Sequence, residues 1–196
     1  RGRIFDVVEK DCGQYDTVTE VMWVTGAALF IRLADYREVG GLDDHFFAHM
    51  EEIDLCWRLR SRGKKLVCIP QSVVYHVGGA TLKKENPRKT FLNFRNNLLM
   101  LYKNLPDKEL EHVLFIRGIL DRVAALVFYL KKDRANARAV MQARREFEDI
   151  RYSFAASRIE NIMKSTDEMI PERTHFSILM KYYLLGKKHF SQLKLF

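Results

Sequence analysis

The chain has 196 residues, of which 47% are hydrophobic and 12% aromatic, with 10 glycines and 4 prolines. This composition predicts a folded protein with a core and excludes collagen-like and disordered chains. The three cysteines lack disulfide or zinc-site spacing, so we expect a reducing, cytoplasmic setting. The net charge of +8 is unevenly distributed, at −2 over residues 1–82 and +10 over residues 83–196.

The first half of the chain predicts short strands that alternate with helices. A short helix or turn is expected over residues 33–39, before Gly40-Gly41, and a helix over residues 51–62, closed by Gly63. The apolar segment that contains Gly26-Ala27-Ala28 predicts a buried strand whose backbone another group approaches closely. The predicted strands span residues 21–32, 65–70 and 72–77.

The second half predicts helices. Apolar residues recur at helical spacing from Phe91 to Leu105 and again from Val113 to Leu130, and further helices are expected over residues 135–150 and around Pro171. No stretch approaches the roughly 20 apolar residues that a membrane-spanning helix needs. We therefore expect a mixed α/β segment over residues 1–88, followed by a helical extension over residues 89–196.

The densest polar cluster places Glu51, Glu52 and Asp54 in the first turn of a predicted helix. The helix dipole favours acidic residues there by roughly 0.3–1 kcal/mol each, so the cluster has a purely structural explanation. Paired carboxylates that follow Phe46 and Phe47 also suit a site where one carboxylate takes a proton and another orients it. From spacing alone both interpretations stay open.

The histidines and Asp43 have weaker signals. His76 ends a predicted strand before Gly78-Gly79, where it could contact a ligand or serve as a hydrogen-bonded structural residue. His45 and His49 have a metal-ligand spacing but lack the H-E-x-x-H pattern, so we interpret them as partly exposed residues at a helix entry. Asp43 is expected to cap a turn.

Several motifs occur in one order between residues 20 and 105. They are Val24-Thr25-Gly26-Ala27, Gly40-Gly41-Leu42-Asp43, Phe46-Phe47, Glu51-Glu52-Ile53-Asp54-Leu55-Cys56-Trp57-Arg58, Tyr75-His76-Val77-Gly78-Gly79 and Asn93-Phe94-Arg95-Asn96-Asn97. This series resembles the second half of family-2 glycosyltransferases, and most closely the bacterial rhamnosyltransferase-like enzymes. Beyond Pro106 the likeness rests on helical character alone.

The resemblance implies a fold of the α/β class. It is a partial GT-A nucleotide-sugar transferase domain, the acceptor-side half, followed by the helical C-terminal region. In that family a D-x-D motif for the metal and the nucleotide diphosphate precedes this region, and none occurs here ahead of Gly26. We therefore expect the donor-binding half to be missing and the chain to be inactive alone.

The resemblance also implies an inverting transfer of sugar from a nucleotide-sugar donor to a saccharide or lipid-linked acceptor, in cell-surface polysaccharide synthesis. Glu52 falls at the position of the catalytic base, and its neighbours Glu51 and Asp54 remain alternatives. Asp54 is expected to orient the acceptor or to pair with Arg58. His76 matches a histidine that completes a Mg²⁺ or Mn²⁺ site.

The expected substrate contacts are Thr25, Gly26, Ala27, Arg58 and Arg95. The two small residues would let the donor sugar approach the backbone, and Arg95 could reach a diphosphate or the acceptor. For Arg95 a plain helix-surface position is an equal alternative.

The basic second half allows an alternative function, a non-catalytic helical module that binds a membrane surface or a partner protein. Nucleic-acid binding is not expected, because no recognised nucleic-acid-binding motif is present. The apolar stripe that ends before Lys131-Lys132 predicts peripheral contact with the inner face of the cell membrane, through anionic lipids. The alternative is that this stripe packs as ordinary core.

Overall fold

The computed structural model describes residues 2–5, 7–76, 86–166, 170–174 and 176–193, and this part of the chain is mostly helical. The α-helices are α1 (Leu33–Glu38), α2 (Glu51–Ser61), α3 (Pro87–Asn104), α4 (Asp107–Leu130), α5 (Arg134–Ile150) and α6 (Ala155–Met163). Short 3-10 turns lie at Gly26–Ala28, Asp44–Phe46, Arg151–Phe154 and Phe190–Leu193, and a π-helical turn lies at Met180–Leu184.

The strands of the described residues are short and form two antiparallel pairs. Strand β1 (Arg3–Ile4) pairs with β2 (Val7–Val8), with Arg3 opposite Val8. Strand β3 (Thr19–Glu20) pairs with β4 (Val67–Cys68), with Thr19 opposite Cys68. The structure therefore agrees only in part with the expected α/β class, because most of its regular elements are helices.

The strand predicted over residues 21–32 is wrong. Extended backbone forms a strand only where its N–H and C=O groups find a neighbouring strand. Pairing with β4 ends where the N–H of Val21 donates to the carbonyl of Leu66 at 2.9 Å. Beyond that point the segment forms the turn Gly26–Ala28, and Phe30 is 91% exposed.

The predicted strand over residues 72–77 is also not observed. Residues 72–76 have no regular structure and are exposed, and Val77 lies outside the described residues. The strand predicted over residues 65–70 is reduced to β4.

The helices around residues 33–63 begin and end close to where the sequence predicts. Helix α1 ends before Gly40 and Gly41, which have φ values of +83° and +68°. A Cβ on Gly41 would lie 2.9 Å from the ring of Tyr36, so both conformation and space require glycine there. Helix α2 ends one residue before Arg62, and Gly63 follows with φ +73°.

The long helices of the second half confirm the predicted helical character. Helix α3 begins earlier than the apolar stripe, because Pro87 occupies its first turn and the Asn86 side chain accepts a hydrogen bond from the N–H of Arg88 at 2.9 Å. Pro106 separates α3 from α4, and Asp133 caps α5.

One hydrophobic core joins the two predicted segments. Phe46 and Trp57, from residues 1–88, pack in the same cluster as residues of α3, α4 and α5, which include Leu98, Leu99, Leu114 and Phe147. Because Phe46 and Phe147 are both fully buried, the turn before α2 is fixed by the helices that follow it.

Helix α4 buries a different face from the one its apolar stripe predicts. The buried face carries Gly118, Asp121 and Ala125 together with two leucines, and Asp121 binds Arg144 of α5 at 2.9 Å. The opposite face is apolar and exposed, with Phe115, Ile116, Ile119, Val123, Leu126, Val127 and Leu130 between 40% and 71% accessible. None of the described helices combines the length and the hydropathy that crossing a membrane requires.

Candidate active site

The turn that leads into α2 has an unusual backbone. Phe47, His49 and Met50 have φ values of +59°, +71° and +74°, although none of them is a glycine. Such conformations cost on the order of 1–3 kcal/mol each and persist only where the surroundings hold them. Backbone strain of this kind clusters at functional sites, and the carboxylates of Glu51 and Glu52 follow directly after the strained turn.

Asn96 of α3 holds this turn in place. Its side-chain Nδ2 lies 2.8, 2.9 and 2.8 Å from the carbonyl oxygens of Phe46, Ala48 and His49. Asn96 is fully buried, so its side-chain amide is shielded from water, and the bond to the Phe46 carbonyl is buried as well. Asn96 belongs to the motif at residues 93–97, but the sequence did not predict this role for it.

Three buried polar atoms at the start of α2 lack a hydrogen-bond partner within the described part of the chain. They are Nε2 of His49, Oε2 of Glu51 and Oε2 of Glu52. Buried polar groups are nearly always paired, so three unpaired atoms in four residues indicate a site that a ligand completes. The polar first turn of α2 is therefore a candidate ligand site as well as a favourable helix start.

Burial raises the pKa of the Glu52 carboxyl, and the negative charge of the neighbouring Glu51 raises it further. Hydrogen bonds from the backbone N–H groups of Glu52 and Ile53 lower this pKa but do not cancel the rise. Burial lowers the pKa of His49, and the charge of Lys89 adds to this effect. A carboxylate with a raised pKa is a better proton acceptor at neutral pH than an ordinary glutamate.

The turn at Gly26 lies beside Glu52. A Cβ built on Gly26 would be 3.8 Å from the Cβ of Glu52. The Thr25 hydroxyl accepts a hydrogen bond from the N–H of Ala27 at 3.5 Å, and all three residues are exposed. The structure therefore brings this predicted substrate segment next to the predicted base.

Asp54 lies in a different environment from the two glutamates. It is fully buried, and its oxygens accept hydrogen bonds from Arg58, Lys103 and Asn104 at 2.7 to 3.0 Å. This ion-pair network joins α2 to α3. Asp54 thus pairs with Arg58, one of the two roles expected for it, and its oxygens are not available to an acceptor.

Arg58 and Arg95, both expected to bind substrate, have protein partners. Arg58 is buried and donates to Asp54, to the carbonyl of Val39 and, at 2.8 Å, to that of Gly41. Arg95 donates to Glu146 at 2.7 Å and to the carbonyl of His45 at 2.8 Å. The geometry assigns both guanidinium groups to holding turns and helices together.

Asp43 and His76 are the remaining residues that the sequence singled out. The Asp43 carboxylate accepts from the N–H of His45 at 3.1 Å, which confirms its capping role, and it binds Lys103 at 2.7 Å. His76 is exposed, and the glycines after it lie outside the described residues. Over the described ranges no three His, Cys, Asp or Glu side chains are placed to hold a metal ion, so these residues alone do not fit a Mg²⁺ or Mn²⁺ site.

The chain is similar to known glycosyltransferases. It is 31% identical over 141 residues to the pre-mycofactocin glycosyltransferase of Mycobacterium tuberculosis, covering 66% of this chain and 29% of that protein. It is 38% identical over 56 residues to the N-acetylglucosaminyl-diphospho-decaprenol L-rhamnosyltransferase of the same organism, covering 29% and 18%. It is 33% identical over 69 residues to rhamnosyltransferase WbbL of Escherichia coli, covering 35% and 25%.

No protein-family model matches the chain, and no solved structure matches it. The matched region spans less than a third of the length of each of these relatives. The resemblance found in the motifs is nevertheless confirmed: the chain is a distant relative of glycosyltransferases, with rhamnosyltransferases among its relatives.

Proposed function

We propose that this chain is the acceptor-side part of an inverting family-2 glycosyltransferase of the GT-A type. The reaction moves a sugar from a nucleotide-sugar donor to a hydroxyl of a saccharide or lipid-linked acceptor, in cell-surface polysaccharide synthesis. The kinship to rhamnosyltransferases supports the reaction class. The buried Oε2 of Glu52, which lies beside Gly26 and has no hydrogen-bond partner among the described residues, is the observation that carries the assignment of the base.

In the proposed reaction Glu52 accepts the proton of the acceptor hydroxyl. The hydroxyl oxygen then forms a bond to the anomeric carbon of the donor, on the side opposite to the departing group. The bond from that carbon to the nucleoside diphosphate breaks, its electron pair leaves with the phosphate oxygen, and the configuration inverts. Glu51 assists by its charge, which favours the proton on Glu52.

The metal that the resemblance implies has no complete ligand set among the described residues, so no step of this proposal passes through Mg²⁺ or Mn²⁺. The role of His76 at such a metal stays a prediction. The small, exposed surface at Gly26 and Ala27 is where the proposal places the donor sugar.

The assignment of Glu52 as the base is tested by measuring the rate of sugar transfer by the intact protein that carries Glu52→Gln. The variants Glu51→Gln and Asp54→Asn serve as comparisons. Loss of a general base costs roughly 10²–10⁴ in rate, so Glu52→Gln should lose transfer to that extent with fold and donor binding kept. Asp54→Asn should instead lower stability, because it breaks a buried ion pair. Near-normal transfer by Glu52→Gln, with loss in Glu51→Gln, would show that the base is misassigned.

Contact with an anionic membrane is a second part of the proposal. The exposed apolar face of α4 supports it, because its seven apolar side chains lie on one side of the helix with no charged residue among them. Arg122 lies at the edge of this face, and Lys131, Lys132 and Arg134 follow its end. An apolar face with basic residues at its border is typical of helices that lie on anionic lipid surfaces, which supports a peripheral position at the cytoplasmic side of the membrane as part of this proposal.

A further inference from the structure

Residues 29–32 have the backbone of a strand but no neighbouring strand. Leu29 has φ −90° and ψ 118°, and Arg32 has φ −66° and ψ 130°, both of which are extended conformations. The side chains alternate as in a strand: Leu29 and Ile31 pack against the cluster around Leu55, whereas Phe30 and Arg32 are exposed. Among the described residues, no main-chain hydrogen bond joins residues 29–31 to another segment. We call residues 29–32 the edge segment.

Phe30 makes an open edge unfavourable in water. The residue is 91% exposed, although phenylalanine is among the side chains that gain most from burial. Natural proteins protect free strand edges with charged side chains, with proline or with a covering loop, because an apolar edge is a template for pairing with another strand. The exposed phenylalanine on an extended, unpaired backbone therefore indicates a pairing surface.

Exposed apolar side chains continue in the neighbouring segments of the first half. The pairing of Thr19 with Cys68 brings Val18 and Ile69 to the same end of the β3–β4 pair, and the outer edges of β3 and β4 are unpaired within the described part of the chain. The exposed apolar residues of these segments, between 42% and 96% accessible, are Val18, Trp23, Val67, Ile69, Val73, Val74 and Tyr75. Apolar exposure on this scale is typical of a surface that another part of a protein covers.

We propose that the edge segment pairs with a β-strand from a part of the same protein outside these 196 residues, and that the sheet to which this strand belongs covers Phe30. The inference rests on the proposed function, in which the chain is one part of a longer transferase. The chain spans less than a third of the length of each relative, so a protein of their size has enough further residues for such a sheet. Main-chain hydrogen bonds give the added strand its affinity, and contacts of alternate side chains such as Phe30 give it specificity.

The added strand lies next to the candidate base. The edge segment directly follows the turn Gly26–Ala28, and a Cβ built on Gly26 would be 3.8 Å from the Cβ of Glu52. A strand paired with residues 29–32 therefore brings the part of the protein that carries it beside this turn. The donor sugar, which the proposed function places at Gly26 and Ala27, is then enclosed between Glu52 and the added sheet.

A photoreactive side chain can identify what pairs with the edge segment. Phe30 of the intact protein is replaced by benzoylphenylalanine, which bonds covalently to neighbouring C–H groups on illumination, and the joined peptides are identified by mass spectrometry. We expect residue 30 to be joined to a segment outside the 196 residues of the same molecule. The same replacement at Phe115, which is 69% exposed on α4, is the matched control and should not capture that segment. Capture of a second copy of the protein, capture of residues within the 196 alone, or no capture at all would overturn the proposal.

Amide hydrogen exchange tests whether the main chain of the edge segment is paired. In the intact protein the amides of residues 29–32 should exchange at least about tenfold more slowly than in Phe30→Asp, because the aspartate removes the apolar contact that holds the strands together. Phe115→Asp is the matched variant and should leave this exchange unchanged. Exchange that is equally fast in the unchanged protein and in Phe30→Asp would show an edge that is open to water, which contradicts the pairing.

Failure of this inference can be distinguished from failure of the proposed function. The substitution Glu52→Gln should preserve the capture by residue 30, because Glu52 is not part of the edge segment. Absence of the captured segment, together with lost transfer by Glu52→Gln, would overturn the pairing surface alone. The captured segment together with normal transfer by Glu52→Gln would overturn the assignment of the base and keep the pairing surface.

Discussion

Glu52 combines features that cost stability and favour proton transfer. Its Oε2 is buried and unpaired within the part of the chain that the structure describes, the pKa of its carboxyl is raised, and the turn before it is strained. The fold stabilises this arrangement from α3, through the hydrogen bonds of Asn96. An arrangement that is locally unfavourable in free energy, and that neighbouring elements hold in place, is typical of a functional site.

Asn96→Ala tests whether that turn positions the carboxylates. Loss of the side chain leaves the carbonyls of Phe46, Ala48 and His49 without their shared donor, the first of them buried, so the free energy of unfolding should fall by about 1–3 kcal/mol. The rate of sugar transfer should fall as well, because Glu52 is no longer held beside Gly26. Urea unfolding and transfer rates measure the two effects.

Asn97→Ala is the matched control for Asn96→Ala. Among the described residues the Nδ2 of Asn97 bonds the sulfur of Met50 alone, at 3.9 Å, so the free energy of unfolding should change by no more than about 0.5 kcal/mol. If the two variants were equally stable and equally active, Asn96 would have no positioning role.

Asn96 also shows what sequence reasoning missed at the level of single residues. Asparagine is unfavourable inside a helix, and Asn93, Asn96 and Asn97 lie in the middle of α3, which was the available signal. Knowing that Asn96 reaches the turn at residues 46–49 required the packing of α3 on that turn. The same holds for Lys103, whose two aspartate partners lie on or before α2.

At the scale of elements, helices were predictable and strands were not. The acidic first turn of α2, its apolar spacing and Gly63 are local signals, and so are Pro106 and the Ala- and Arg-rich composition of α5. The strands predicted over residues 21–32 and 72–77 depended on pairing partners, which are remote in sequence. The apolar composition of residues 21–32 reflects packing instead, because Leu29 and Ile31 contact the cluster around Leu55.

The exposed face of α4 leads to a prediction about membranes. The protein should co-sediment with anionic vesicles at low salt and much less with neutral ones, because basic residues border the apolar face. Ile119→Asp with Leu126→Asp should weaken this binding by about tenfold or more, since two apolar contacts with lipid are lost.

Leu33→Asp with Val73→Asp is the control for the α4 variant. These residues are 58% and 69% exposed and lie outside α4, so the double variant should bind vesicles like the unchanged protein. A protein that stays in the supernatant with both kinds of vesicle would contradict the membrane contact.

At the scale of the whole molecule, the helical second half supports the first half. The shared core of Phe46, Trp57 and Phe147, and the ion pairs of Asp54 with α3, mean that the candidate base depends on helices far along the chain. The net charge of +10 over residues 83–196 includes the basic border of the α4 face. The second half of the sequence thus supplies both the support of the candidate site and the proposed membrane surface.

The pH dependence of sugar transfer tests the central claim, that Glu52 is the base, most directly. A base must be deprotonated, so the rate should fall as the pH drops through the raised pKa of Glu52, at a higher pH than for an ordinary glutamate. In Glu51→Gln this acid limb should move to lower pH, because burial, the main cause of the raised pKa of Glu52, then acts without the added charge of Glu51. An acid limb at the same pH in both proteins, or one that persists with full activity in Glu52→Gln, would contradict the account.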